Sequence, residues 1–247
     1  MNESYVPDWR VPANVRALQT TRNGGVSHAT WASFNLGDHV GDAAQSVVAN
    51  RALLRARLPG EPVWLKQVHG TVAVDVDLQP KNAEGDAACS RLPGNVCAVM
   101  TADCLPVLFC DRAGSVVAAA HAGWRGLLAG VLESAVGAMK VDAANVLAWL
   151  GPAIGAQCFE VGAEVREAFI AADPSASLAF TPKPGDKWLC DLYLLARQRL
   201  QRLGITGISG GESCTVSEPR RFFSYRRDGV TGRMASLIWL ERGASGV

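Results

Sequence analysis

The chain holds four histidines, and two of them, His69 and His121, stand at the ends of apolar runs close to glycine. Cys104 stands at a third such end, in Thr101-Ala102-Asp103-Cys104-Leu105-Pro106. Two imidazoles and one thiolate form a borderline-soft donor set that suits zinc. Three protein ligands leave a fourth position for water, the arrangement of catalytic rather than structural zinc, and such an ion makes water nucleophilic near neutral pH. The spacing from 69 to 104 to 121 matches no zinc-binding pattern, so two other readings of Cys104 stay open. It is a core thiol, as Cys97 and Cys110 are expected to be, or one half of a Cys–His nucleophile pair that works without metal. His28 and His39 fall in polar, turn-like stretches and read as solvent-facing or substrate-contacting. No Gly-x-Gly-x-x-Gly, Gly-Lys-Ser/Thr loop or His-Glu-x-x-His helix is present, which sets aside the common dinucleotide, NTPase and zincin classes.

These residues need elements to hold them. A strand is expected at Val15 to Thr21, followed by a turn at Arg22-Asn23-Gly24-Gly25. A helix is expected from about 43 to 58, opened by Asp42 and Gln45 in capping-box spacing. Strands are expected at Val63 to Val68, Thr71 to Val76, Val96 to Thr101, Leu105 to Cys110 and Ser115 to Ala120. The link Asp111-Arg112-Ala113-Gly114 predicts an antiparallel hairpin that brings Cys104 and His121 to adjacent strand ends. Gly126 to Lys140 reads as one amphipathic helix. Beyond it come a strand at Val146 to Leu150 and helices at Ala163 to Ala172 and Leu192 to Leu203, the latter capped by Asp191. Strands at Ile205 to Ser209 and Arg233 to Trp239 close the chain. No repeat or linker divides it, so residues 1–14 read as a polar tail and 15–247 as a single domain. The fold class is α/β (α+β), a mixed β-sheet covered by helices.

Composition narrows the function. In 247 residues, 24 Lys and Arg face 23 Asp and Glu, so the net charge of +1 supplies no global field toward nucleic acid or membrane. The apolar runs are broken by Asp103, Pro106 and His121, too short for a membrane span. The N-terminal residues carry no basic patch or apolar run, which gives a cytoplasmic expectation. Seven cysteines without a Cys-x-x-Cys pair fit reduced thiols. Arginines 220, 221, 226, 227, 233 and 242 crowd the C-terminal stretch and point to a local anion site.

Longer segments carry a resemblance. They are Thr20-Thr21-Arg22-Asn23-Gly24-Gly25-Val26-Ser27, Asn35-Leu36-Gly37-Asp38-His39-Val40-Gly41-Asp42 and Lys66-Gln67-Val68-His69-Gly70. Thr101 to Val107, His121-Ala122-Gly123-Trp124-Arg125-Gly126, Gly151 to Gly155 with Cys158 to Gly162, and Phe223 to Ala235 complete the set. Together, over about residues 15 to 240, the chain resembles the YfiH-type family, also called multicopper polyphenol oxidase laccase-like or peptidoglycan editing factor. One departure is Ala87-Ala88-Cys89-Ser90, where the family more often has Ala-Leu-Val-Thr.

The resemblance implies a fold similar to that of cytotoxin-like cysteine hydrolases and a zinc held by His69, Cys104 and His121, with copper as the other metal such a set can take. It implies a purine nucleoside phosphorylase acting on adenosine, inosine and methylthioadenosine, with adenosine deaminase activity besides. The expected partners are a nucleoside and phosphate, with no nucleic acid, membrane or obligate protein partner. Asp103 and Glu160 are candidate proton carriers. Arg125 and Arg226 are candidates for phosphate, with a surface ion pair and a solvated loop as their plainer readings. Asn35, Arg22, Gln67 and Ser224 are candidates to line the nucleoside pocket, though buried loop hydrogen bonding explains them equally well. Trp124 is a candidate to stack on a purine. Two other activities follow from the family's names: a copper-dependent polyphenol oxidase, for which four histidines are few, and a Cys104–His121 hydrolase that edits peptidoglycan precursors.

Overall fold

The computed structural model describes residues 3–78 and 83–241; residues 1–2 of the expected tail, 79–82 and 242–247, with Arg242, lie outside them. In chain order the strands are β1 (Val15–Gln19), β2 (Pro62–Val63), β3 (Ala73–Asp75), β4 (Ala87–Ser90), β5 (Val96–Thr101), β6 (Leu105–Asp111) and β7 (Val117–Ala122). They continue as β8 (Val146–Leu150), β9 (Glu160–Gly162), β10 (Phe180–Lys183), β11 (Lys187–Cys190), β12 (Gly207–Gly210) and β13 (Met234–Leu240). The helices are α1 (Ala44–Arg55), α2 (Trp124–Ala129), α3 (Val131–Met139), α4 (Ala163–Ala172), α5 (Leu192–Arg202) and α6 (Tyr225–Asp228).

Side-chain alternation assigns each strand face to a layer. Cys97 and Val99 of β5 and Ile238 of β13 meet Leu108 and Cys110 of β6 and Val117 and Ala119 of β7 in one buried cluster. This presses a four-stranded sheet, ordered β1-β13-β5-β2, face to face against a six-stranded sheet, ordered β12-β8-β6-β7-β4-β3. The intervening residues point outward. Val96, Ala98 and Met100 pack with Leu54 of α1. Leu105, Val107 and Phe109 pack with α3, α4 and α5 through Val131, Leu132, Phe169 and Leu195. The result is four layers, helix on sheet on sheet on helices, with a small antiparallel sheet β10-β11-β9 alongside.

The mixed α/β class holds, but the single covered sheet does not. β5 and β6 are buried on both faces, and a continuous apolar run does not say whether a helix or a second sheet covers it. The β6–β7 hairpin is antiparallel as expected, with Leu105 opposite Ala122. Asp191 caps α5 by accepting from the Leu194 N–H at 2.9 Å.

Other expectations change. The strand at 63–68 stops at Val63, and the one at 71–76 shrinks to β3 before a short turn of 3-10 helix at Val76–Leu78. The helix at 126–140 is two helices, broken at Gly130, whose φ of 105 is left-handed. Asp42 does not cap α1; it accepts from Ser27 Oγ at 2.6 Å and Asn35 Nδ2 at 2.9 Å, bracing the preceding loops. Strands β4, β9, β10 and β11, none longer than four residues, were too short to stand out by alternation. Within the expected N-terminal tail, Tyr5 exchanges backbone hydrogen bonds with Gln19 at 2.9 Å. No helix among the described residues is long and apolar enough to cross a membrane.

Candidate functional site

Two loops and the end of a strand meet at one end of the sheets. Cys104 lies in the link from β5 to β6, beside Asp103 with a left-handed φ of 91. Such backbone persists where surrounding bonds over-determine it. Here Asp103 Oδ1 accepts from Thr215 Oγ1 at 2.5 Å, Oδ2 from the Arg226 N–H at 2.6 Å, and its carbonyl from the Ile154 N–H at 2.9 Å. His69 lies in the connection between β2 and β3, also left-handed at φ 61. His121 is on β7.

A fourth residue, Asp86, organises both histidines. Its fully buried carboxylate accepts from the N–H groups of Val68, His69 and Gly70 at 3.2, 3.0 and 2.7 Å, which shapes the His69 loop. His121 Nδ1 lies 2.8 Å from Asp86 Oδ1, so the proton is on Nδ1 and Nε2 is left for the cluster. Burial pushes the Asp86 carboxyl up, but bonds from His121 and Gly70 outweigh it and hold the group below the usual carboxylate range.

The ligand atoms of His69, Cys104 and His121 lie within 4.8 Å of one another, the one such cluster among the described residues. Cys104 Sγ is 3.7 Å from His69 Nε2, and the two imidazole rings meet edge to face at 4.8 Å. His121 is buried, Cys104 half-buried and His69 exposed, so the cluster is open on one side. Gly123 keeps it clear: a Cβ there would come within 2.7 Å of His69 Cδ2 and 2.9 Å of Cys104 Sγ. Burial pushes the Cys104 thiol up, yet the charge of His121 and hydrogen bonds from both histidines bring it down to about 6. Burial lowers His121, and the Cys104 thiolate and Asp86 carboxylate raise it to about 9. A ready thiolate, two oriented imidazoles and an open side fit a metal ion with three protein ligands.

The remaining candidates divide. Arg125 is exposed on the first turn of α2 with its guanidinium 4.5 Å above the half-buried Trp124 ring. Arg226, also exposed, donates to the Glu160 carbonyl at 2.9 Å and lies over Phe159. Glu160 pairs with Lys183 at 2.6 Å, and that lysine holds its carboxyl low. Gln67 grips β5 through both bonds to the Met100 backbone, at 2.8 and 2.7 Å. Arg22 donates to the carbonyls of Ala32 and Pro219. Ser224 caps α6 by accepting from the Arg227 N–H. Asn35 is fully buried and bonds to Gly37, Asp42 and the Arg233 N–H. These four side chains brace loops. His28 and His39 lie outside the cluster, both exposed.

Asp86 escaped the sequence reading, and Arg233 entered it only as one of the crowded C-terminal arginines. Asp86, in Gly85-Asp86-Ala87, looks like a turn aspartate, and the short strand that follows it, β4, gave no signal of its own. Arg233 is half-buried; burial lowers its pKa while the charges of Cys104 and Asp103 oppose that, placing a guanidinium in the field of the cluster. Among the crowded arginines it is the one directly preceding the buried β13.

Residues 16–241 match the family model described as Multi-copper polyphenol oxidoreductase laccase. The purine nucleoside phosphorylase YfiH of Escherichia coli (strain K12) is 56% identical over 243 residues, covering 97% of this chain and 100% of that protein. Purine nucleoside phosphorylase PA4543 of Pseudomonas aeruginosa is 54% identical, with 98% and 100% covered. Among solved structures, Neisseria meningitidis protein NMB0706 superposes with a TM-score of 0.93 at 52% identity, covering 97% of this chain and 99% of that one. YlmD from Geobacillus stearothermophilus gives a TM-score of 0.87 at 30% identity, with 93% of each chain covered. The convergence of the sequence segments, the fold and these relatives on one group of proteins shows that the chain belongs to the YfiH family, the multi-copper polyphenol oxidoreductase laccase family.

Proposed function

We propose that the chain is a zinc-dependent purine nucleoside phosphorylase that cleaves adenosine, inosine and methylthioadenosine with phosphate, and that also deaminates adenosine, with the cytoplasm as its place of work. The observation that carries this reading is the closure of His69, Cys104 and His121 to within 4.8 Å around an open side. The purine nucleoside phosphorylase names of relatives above 50% identity supply the substrate class. Zinc, when bound, supplies Lewis acidity and a water of lowered pKa.

The protein's own groups supply the rest. Asp86 keeps the His121 proton on Nδ1 and fixes the ring. Asp103, whose two carboxylate oxygens are taken by Thr215 and Arg226, acts as a positioning residue for Cys104. Arg125 and Arg226 hold the phosphate, because bidentate guanidinium groups match its oxygens, and neither has an acidic side-chain partner among the ion pairs of the described residues. Arg22, Asn35, Gln67 and Ser224 shape the nucleoside pocket indirectly, by fixing its loops. The copper-oxidase reading draws on the family's description, but a multicopper centre needs more ligands than the two histidines this fold brings together.

The test is chromatography of adenosine incubated with zinc-loaded protein, with and without phosphate. Adenine that forms only with phosphate, and inosine that forms without it, are expected, and Cys104→Ala should remove both. Adenosine recovered unchanged from zinc-loaded protein overturns the reading. Phenol oxidation by copper-loaded protein alone would put the oxidase in its place.

A further inference from the structure

Outside the metal cluster, two more cysteines lie on two turns that are joined through Ser217 and Gly155. Cys158 and Cys214 are both half-buried, in contrast to the fully buried Cys89, Cys97, Cys110 and Cys190. The Ser217 hydroxyl donates to Cys214 Sγ at 3.3 Å and lies 3.4 Å from Cys158 Sγ. Both sulfurs therefore touch one oxygen atom. Gly155 brings the two turns together: its N–H points at Cys214 Sγ at 3.3 Å and its carbonyl accepts from the Cys158 N–H at 2.9 Å. A Cβ at Gly155 would press on Cys214, 3.0 Å from its Cβ and 3.1 Å from its sulfur.

We propose that Cys214 and Cys158 form a redox-active dithiol, in which Cys214 reacts with a hydroperoxide and Cys158 resolves the product as a disulfide. In the first step the Cys214 thiolate attacks the peroxide; an S–O bond forms, the O–O bond breaks, and the leaving oxygen takes a proton as water or alcohol. In the second, Cys158 attacks the sulfenic sulfur; the S–S bond forms and the S–O bond breaks. Hydroxide then leaves with the Cys158 proton as water. The peroxide is reduced and the two thiols are oxidised, so the balance closes.

The surroundings of Cys214 support its place as the attacking sulfur. Burial pushes its thiol up, but donors from Ser217, Gly155 and Val216 outweigh it and bring the pKa below the ordinary 9.0. Burial, with nearby carboxylates adding to it, drives Cys89 to about 11 and Cys190 to about 12, leaving them inert. The pair is also linked to the metal centre through the fold, because Thr215, next to Cys214, donates to the carboxylate of Asp103, next to Cys104.

The experiment uses zinc-loaded protein, so that Cys104 is occupied, treated with graded hydrogen peroxide, alkylated and digested with trypsin without reduction. Mass spectrometry should find peptide 141–166 joined to peptide 203–220 with the loss of two hydrogens, and dithiothreitol should separate them. In Cys158→Ser the sulfenic acid should persist, with dimedone labelling of Cys214 about tenfold above that of the four buried cysteines. Recovery of Cys158 and Cys214 as free alkylated thiols at a dose that oxidises other residues overturns the proposal, as does a disulfide from either one to a different cysteine. The wild-type peptide map decides the matter even if the variant fails to fold.

Discussion

Asp86 accepts from three consecutive N–H groups and from His121, so one carboxylate fixes a loop and an imidazole together. An asparagine there would keep one acceptor oxygen but turn an NH2 group toward these donors. Asp86→Asn is expected to weaken zinc binding about 10–100-fold, measured by competition with a chromophoric chelator. The same change should disarm the thiol. In metal-free wild-type protein, alkylation of Cys104 should rise with pH around a midpoint of about 6 instead of the ordinary 9.0, because His121 is charged there and favours the thiolate. Without the Asp86 charge His121 loses its proton more easily, so the midpoint should move up. A midpoint that stays put would show that Asp86 does not act through His121. His69, Cys104 and His121 stood out by residue type, but their spacing matched no metal-binding pattern and the family resemblance was what joined them. Asp86 did not stand out, because its partners lie 17 and 35 residues away in sequence and only the fold gathers them.

Gly130 separates α2 from α3 and serves both as the cap of one and the start of the next. The sequence shows no break because Leu127, Val131, Leu132, Ala135 and Met139 keep helical spacing across it, and all face the same core. Spacing reports which face is buried, not whether every φ is helical. An added Cβ would meet nothing closer than Glu133 Oε2 at 3.5 Å, an ordinary contact, so the cost of Gly130→Ala is backbone alone. Forcing an L-residue into the left-handed region costs about 1–2 kcal/mol. A fall of that size in unfolding free energy from urea titration is expected, whereas an unchanged or higher value would mean the two helices can fuse without loss. The same limit explains the loop residues. Arg22, Asn35, Gln67 and Ser224 are the types that both line pockets and satisfy buried backbone, and only the hydrogen-bond partners distinguish the two uses.

The chain crosses from the four-stranded to the six-stranded sheet between β2 and β3 and again between β5 and β6. His69 sits in the first crossing, Cys104 in the second, and His121 on a central strand of the larger sheet. A metal held by all three therefore joins both crossings to that sheet, and binding should stabilise the sandwich as a whole instead of one loop. Zinc at a free concentration a hundred times its Kd contributes about 2.7 kcal/mol, which for a chain of this size raises Tm by about 5–10 °C. Of the seven tryptophans, Trp149 lies between the sheets and Trp239 beneath α1, so fluorescence includes packing on both faces of the smaller sheet, while far-UV dichroism reports the helices and strands. The two signals should move up together on adding zinc and stay coincident, and Cys104→Ala should abolish the shift. If zinc is bound but Tm is unchanged, or if the two transitions separate, the ion serves a local loop and the crossings are held by the apolar interface between the sheets alone.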